Sequence, residues 1–113
     1  MYSQEECELI WLTAIAVNGV ELLRRRGMST NPYLSLKLET MLILAMDMEE
    51  LLLIGRNYEN DLLDCIKKFP PYIRQKAIAL TPALTRADEV KTKTLKGTFS
   101  VISQGRRSFL GEG

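Results

Sequence analysis

The N-terminal part of the chain shows the hydrophobic periodicity of an amphipathic α-helix. Its apolar residues cover about half of a helical wheel and so predict a broad core-facing side. These residues are Leu9, Trp11, Leu12, Ile15, Ala16, Val20, Leu22 and Leu23. Ser3 and Glu6 have the spacing of a capping box at the helix start, and Gly27 follows three arginines as a C-terminal stop. We therefore predict a first helix over residues 4–26.

The most hydrophobic part of the chain predicts a long central helix over residues 32–54. Asn31 can cap this helix, Pro32 suits its first position, and Gly55 would end it. Apolar residues recur along it at alternating spacings of four and three, which is the heptad seam of a helix that packs against another helix. The seam consists of Leu34, Leu38, Met41, Ala45, Met48 and Leu52.

The far side of this predicted helix is also partly apolar, because Leu36 and Ile43 lie there. One interpretation is that the seam is simply the core of a four-helix domain. The other adds a protein interface, most simply between two copies of the chain, since a chain of this length builds one modest core and two-fold pairing commonly covers an apolar patch. The candidate interface residues are Leu34, Leu38, Met41, Ala45, Met48, Leu52, Leu36 and Ile43.

Two shorter helices are predicted before residue 85. Asn57 or Asn60 can cap the first, which ends where consecutive prolines remove backbone donors. The second covers residues 72–80. The expected fold class is therefore all-α or nearly so: a small antiparallel bundle of about four helices over residues 1–84, with no segment long and apolar enough to span a membrane.

Residues 85–113 form a predicted basic C-terminal extension, in which β-branched residues and lysines become frequent. A turn at Lys96 and Gly97 favours a β-hairpin; a helix over 86–96 and a flexible tail are the alternatives. The extension also holds candidate contacts to an anion or a nucleic acid: Lys91, Lys93, Lys96, Arg106 and Arg107. These cations could instead dock on an acidic protein surface, including the chain's own N-terminal half, or serve solubility alone.

Charge and chemically reactive residues restrict the function further. The net charge of +1 conceals five basic and eleven acidic residues in 1–64, against ten basic and three acidic residues in 65–113. The chain has no histidine, which removes the commonest general base and most zinc sites. No catalytic residue, metal or cofactor is therefore predicted. We expect Cys7 and Cys65 to be packed and reduced, with a disulfide as the alternative.

These features together predict a function in binding rather than in catalysis. We expect a small cytoplasmic regulator or adaptor that binds another protein through its apolar helical surface, most simply as a homodimer. The alternative is a nucleic-acid-binding protein that uses the basic C-terminal extension, although no motif of a known nucleic-acid-binding fold is present in the sequence.

Overall fold

The computed structural model describes residues 2–84, and within them the chain is all-α. Four helices follow one another: α1 (Gln4–Arg25), α2 (Leu36–Leu44), α3 (Met48–Lys68) and α4 (Pro71–Leu80). No strand occurs among these described residues. α1 packs most extensively against α3 and α4, so the first helix is the centre of the fold. The predicted C-terminal extension, with its hairpin, helix and flexible alternatives, lies outside the described residues.

The first helix forms as the sequence predicts, because local signals fix both of its ends. The Ser3 hydroxyl oxygen accepts the N–H of Glu6 at 3.1 Å, and the Glu6 carboxylate accepts the N–H of Ser3 at 2.8 Å. At the other end Gly27 has a positive φ of 68°. The N–H of Met28 then reaches the carbonyl of Leu23 at 2.9 Å, in the Schellman arrangement that ends many helices.

The predicted continuous helix over residues 32–54 is wrong, because the chain breaks it after Leu44. Ala45 adopts an extended backbone conformation with φ −63° and ψ 128°. Asp47 then caps a new helix, and its carboxylate accepts the N–H of Glu50 at 2.8 Å. The Glu50 carboxylate in turn accepts the N–H of Met46 at 2.8 Å. These two bonds satisfy backbone donors that the break leaves without helical partners.

The start of the second helix is also later than predicted. Ser35 is the N-cap of α2, and its hydroxyl accepts the N–H of Leu38 at 3.2 Å. Pro32 lies instead in the preceding turn, where the N–H of Tyr33 donates to the carbonyl of Thr30 at 3.0 Å. α2 is consequently only nine residues long.

Gly55 does not end a helix as predicted but lies within α3, at a close contact with α1. A Cβ atom at this position would lie 2.9 Å from the Thr13 hydroxyl oxygen and 3.0 Å from the Leu9 carbonyl. α3 continues through this contact and bends at Tyr58, where φ is −132° and ψ is 27°. The separate short helix predicted to start near Asn57 or Asn60 is therefore the second half of α3.

The C-terminal ends of α1 and α3 meet at the start of α4. Arg26 follows α1 and lies over the ring of Tyr72, in the first turn of α4, with 4.5 Å from its guanidinium carbon to the ring centroid. Phe69, directly after α3, packs against Gly19 of α1 and edge-on against Tyr33. The two longest helices thus end on the same side of the molecule.

The fourth helix forms close to its predicted bounds, and its C-terminal end is attached to α1. The indole N–H of Trp11 donates to the carbonyl of Thr81 at 2.6 Å. The side-chain amide of Asn18 donates to the Thr81 hydroxyl, which donates in turn to the carbonyl of Ala77 at 2.8 Å. A buried polar chain therefore fixes α4 on the central helix.

Both cysteines are buried, and no disulfide joins them. Burial raises the pKa of the Cys65 thiol to about 12, although the nearby Lys68 charge acts in the opposite direction. The reactive thiolate is accordingly suppressed at neutral pH.

We expect neither thiol to react with Ellman's reagent near pH 8 while the protein is folded. Both should react once denaturant unfolds the chain, because unfolding restores water access and an ordinary thiol pKa. The measurement is the absorbance of released thionitrobenzoate with and without denaturant. Rapid release of one equivalent from the native protein would contradict the buried placement of the cysteines.

Candidate protein-binding surface

The structure divides the eight predicted interface residues into three groups. Four are buried within the subunit: Leu38, Ala45, Met48 and Leu52. Leu34 and Met41 are partly buried and pack against the same core. The heptad seam thus packs inside the subunit, with Leu38 and Met41 on α2 and Met48 and Leu52 on α3. Only Leu36 and Ile43 of the eight are exposed large side chains, at 72% and 45%.

Two further exposed residues, Leu44 and Met46, extend the apolar area around Leu36 and Ile43. Leu44 ends α2 with 65% of its surface exposed, and Met46 follows in the helix break with 48% exposed. One face of α2 carries Leu36, Thr40, Ile43 and Leu44, because the last three follow Leu36 by four, seven and eight residues. We call the exposed residues Leu36, Ile43, Leu44 and Met46 the α2 surface.

Two of the three polar side chains of α2, those of Glu39 and Thr40, are engaged within the subunit. Thr40 lies in the middle of the face, but its hydroxyl donates to the carbonyl of Leu36 at 2.9 Å and is therefore occupied within the helix. Glu39 is the only acidic residue of α2. Its carboxylate accepts the Thr30 hydroxyl at 2.6 Å and lies 3.7 Å from Arg24. Lys37, the cation of α2, is exposed and lies seven residues before Leu44, so it borders the α2 surface.

An open groove of about 270 Å³ adjoins the α2 surface on the side of α1. Its apolar lining comes from both helices: Val17, Val20, Leu42 and Ile43. Glu21, Arg24 and Arg25 complete the lining. Glu21 and Arg25 form an ion pair of 2.7 Å there. Because Ile43 belongs to both features, the groove and the α2 surface are continuous.

Metal-binding clusters and membrane-spanning helices are absent from the part of the chain that the structure describes. Residues 2–84 contain no group of three or more Cys, Asp or Glu side chains placed to hold a metal ion. None of their helices combines the length and the apolar character needed to cross a membrane. The predicted anion contacts Lys91, Lys93, Lys96, Arg106 and Arg107 all lie outside the described residues.

Comparisons with known proteins do not add to this picture. No protein-family model matches the chain, and neither a curated protein nor a solved structure matches it. Its function must therefore be inferred from its own surface.

Proposed function

We propose that this protein is a non-enzymatic regulator or adaptor that acts by protein–protein contact and pairs with a second copy of itself through the α2 surface. One observation carries the proposal: a helix of nine residues leaves Leu36, Ile43 and Leu44 exposed at 72%, 45% and 65%. Single exposed leucines are ordinary on soluble proteins, but several on one short helix face are typical of a binding site.

A second copy of the chain is the occupant that best suits this surface. A helix face can pair with its own copy around a two-fold axis, which places the same aliphatic residues on both sides of the interface. α2 alone is about 13 Å long, which is short for the roughly 800 Å² that each partner contributes to a stable complex. The adjoining groove enlarges the available apolar area, so side chains from the partner's α2 could fill it.

Two features of the sequence support the non-enzymatic, cytoplasmic part of the proposal. The chain has no histidine, and its two cysteines are buried and not joined in a disulfide. Reduced, packed thiols are typical of proteins that work in a reducing compartment. An adaptor of this kind would present the remainder of its surface to another protein while α2 holds the dimer together.

The test is the double substitution Leu36→Lys/Leu44→Lys in the full chain. We expect the parent to sediment as a dimer and the variant to dissociate at least about 1,000-fold more easily. Leu36 and Leu44 are 72% and 65% exposed in the subunit, so burying each contributes about 1–2 kcal/mol, and a two-fold interface loses four of them. Sedimentation equilibrium over a range of protein concentrations measures the change. Both positions are exposed in the subunit, so circular dichroism should show unchanged helicity.

The matched control is Leu63→Lys/Ile78→Lys, which adds the same charges at exposed apolar positions on α3 and α4. It should leave the dimer intact. A parent protein that remains monomeric at high concentration, or a Leu36→Lys/Leu44→Lys variant that dimerises as well as the parent, would refute self-pairing through α2.

A further inference from the structure

Five cations gather where α1 and α3 end and α4 begins. We call them the basic corner: Arg26, Lys67, Lys68, Arg74 and Lys76. Two of them, Arg26 and Lys76, lie against the ring of Tyr72, which is 53% exposed. The sequence indicates only separate surface charges, since Arg26 lies more than 40 residues before the others. The fold brings them together because the C-terminal ends of α1 and α3 converge on α4.

Two cations of the basic corner lie close to the ring of Tyr72. The Arg26 guanidinium carbon lies 4.5 Å from the ring centroid and the Lys76 ammonium 5.8 Å from it. The two charges are thus no more than about 10 Å apart, which is about one Debye length at moderate salt. A hydrogen bond with Lys76 and the positive charges of Lys76 and Arg26 lower the pKa of Tyr72. The tyrosine therefore reports on the local positive potential.

None of the five cations of the basic corner forms an ion pair with a described carboxylate. Residues 22–38 and 65–84, which supply all of its cations, contain no acidic side chain. Arg25, one residue before Arg26, is ion-paired with Glu21 at 2.7 Å, whereas Arg26 makes no such pair with a described carboxylate. Arg26 instead lies on the ring of Tyr72, so its charge is held in place without being neutralised.

Helix-end electrostatics explain only part of this arrangement. Lys67 and Lys68 follow the usual preference for cations at a helix C-terminus, here that of α3. Arg74 donates to the carbonyl of Lys67 at 3.0 Å, which joins α4 to the same helix end. Lys76, however, is placed on α4, a helix with no acidic residue, beside the charge of Arg26. Repulsion between these cations would be relieved by a bound polyanion.

We propose that the basic corner binds the phosphate backbone of a nucleic acid, with single strands preferred. Closely spaced cations gain affinity for a phosphate polymer through the release of its counterions. Tyr72 is 53% exposed, and the part of its ring that Arg26 does not cover offers a surface on which an unpaired base can stack. This inference does not depend on pairing through α2, and it uses none of the cations in the C-terminal extension.

The test uses the full chain with a fluorescently labelled single-stranded RNA of mixed sequence and the matching duplex. Arg26→Gln/Lys76→Gln removes the two charges at Tyr72. We expect it to weaken single-strand binding at least 10-fold at low salt, measured by fluorescence anisotropy. The slope of log affinity against log salt should also fall by about 1.4, because two phosphate contacts are lost at about 0.7 per contact.

Two matched controls locate the binding site. Lys37→Gln/Arg56→Gln removes the same net charge from α2 and α3 outside the corner. It should change affinity by no more than about twofold, since Arg56 pairs with Glu6 at the opposite end of α1 from Arg26 and long-range charge effects are screened. Lys91→Gln/Lys93→Gln removes charge from the C-terminal extension. Combining it with Arg26→Gln/Lys76→Gln should still lower the slope of log affinity against log salt, because the basic corner is unchanged by the extension substitutions. The proposal is overturned if the parent does not bind, if the corner variant binds as well as the parent, or if only the extension variant loses binding.

Titration of Tyr72 gives a second measurement, which tests whether the RNA binds at the basic corner. The near-ultraviolet tyrosinate absorbance of the parent minus that of Tyr72→Phe isolates this residue. Its pKa should rise in Arg26→Gln/Lys76→Gln, and also in the parent when the RNA is saturating, because phosphate offsets the nearby cations. An unchanged Tyr72 pKa on saturation would place the RNA elsewhere. Binding of polyglutamate but not of RNA would also overturn the proposal and identify an acidic protein as the ligand.

Discussion

Replacing Gly19 with alanine is expected to lower the free energy of unfolding by about 2 kcal/mol. Alanine ordinarily stabilises a helix interior relative to glycine by about 0.5–1 kcal/mol. The expected change in the free energy of unfolding therefore has the opposite sign from that of an ordinary Gly→Ala substitution in a helix. The reason is steric: a Cβ at Gly19 would lie 2.6 Å from Cζ of the Phe69 ring. Phe69 is only 2% exposed and packs edge-on against Tyr33, with 5.7 Å between ring centroids, so the ring has little room to move.

Chemical denaturation monitored by circular dichroism measures the effect, and a double-mutant cycle identifies its cause. Phe69→Leu shortens the side chain and removes the ring carbons that a Cβ would meet. In that background Gly19→Ala should cost much less than in the parent, which gives a coupling energy above about 1 kcal/mol. Equal costs in the two backgrounds would show that Phe69 is not what excludes a side chain at position 19.

Local signals explain why the sequence predicts α1 and α4 and why it joins α2 to the first part of α3 in a single helix. The capping box and Gly27 of α1 act within a few residues, so their effect can be read directly. The break at Ala45 is hidden, because apolar spacing continues through it and both flanking segments pack on one core. Asp47 and Glu50 nevertheless have the three-residue spacing of a capping signal, which could have identified the start of α3.

Hydrophobic periodicity in the sequence does not predict features that depend on tertiary contacts. Gly55 has the sequence signature of a helix stop, yet it is buried against Thr13 and the Leu9 carbonyl, which only the packing of α1 on α3 reveals. The apolar seam likewise predicts a buried helix face, but it does not show whether the subunit itself or a partner covers that face. The structure shows that the subunit itself covers most of the seam, while Leu36 and Ile43 on the other face remain exposed.

The basic corner is likewise not predicted by the sequence, because its charged residues come together only in the folded chain. Arg26 and Lys76 are 50 positions apart in the sequence, and each alone is typical of a solvated helix surface. Their proximity follows from the convergence of α1 and α3 on the start of α4. The acid-free stretches 22–38 and 65–84 are visible in the sequence, but they become one positive surface only in the folded chain.

The buried polar chain at the end of α4 leads to the last prediction, the substitution Thr81→Val. Thr81 is 1% exposed, and its hydroxyl both accepts from the Asn18 amide and donates to the Ala77 carbonyl. Valine keeps the shape but leaves the buried Asn18 amide without this acceptor. We expect the free energy of unfolding to fall by about 2 kcal/mol, within the usual cost of an unsatisfied buried group.

The compensating variant Asn18→Leu/Thr81→Val should recover part of this loss, because replacing both partners by apolar groups removes the unsatisfied amide. Trp11 provides a local probe, since it is the only tryptophan and its indole N–H donates to the Thr81 carbonyl. That bond uses the backbone and should survive both changes, leaving the native fluorescence emission unshifted. A red shift in Thr81→Val alone would mean that the hydroxyl, rather than the backbone contact, holds the end of α4 against α1. Stability equal to the parent in Thr81→Val would show that the Asn18 amide has another partner.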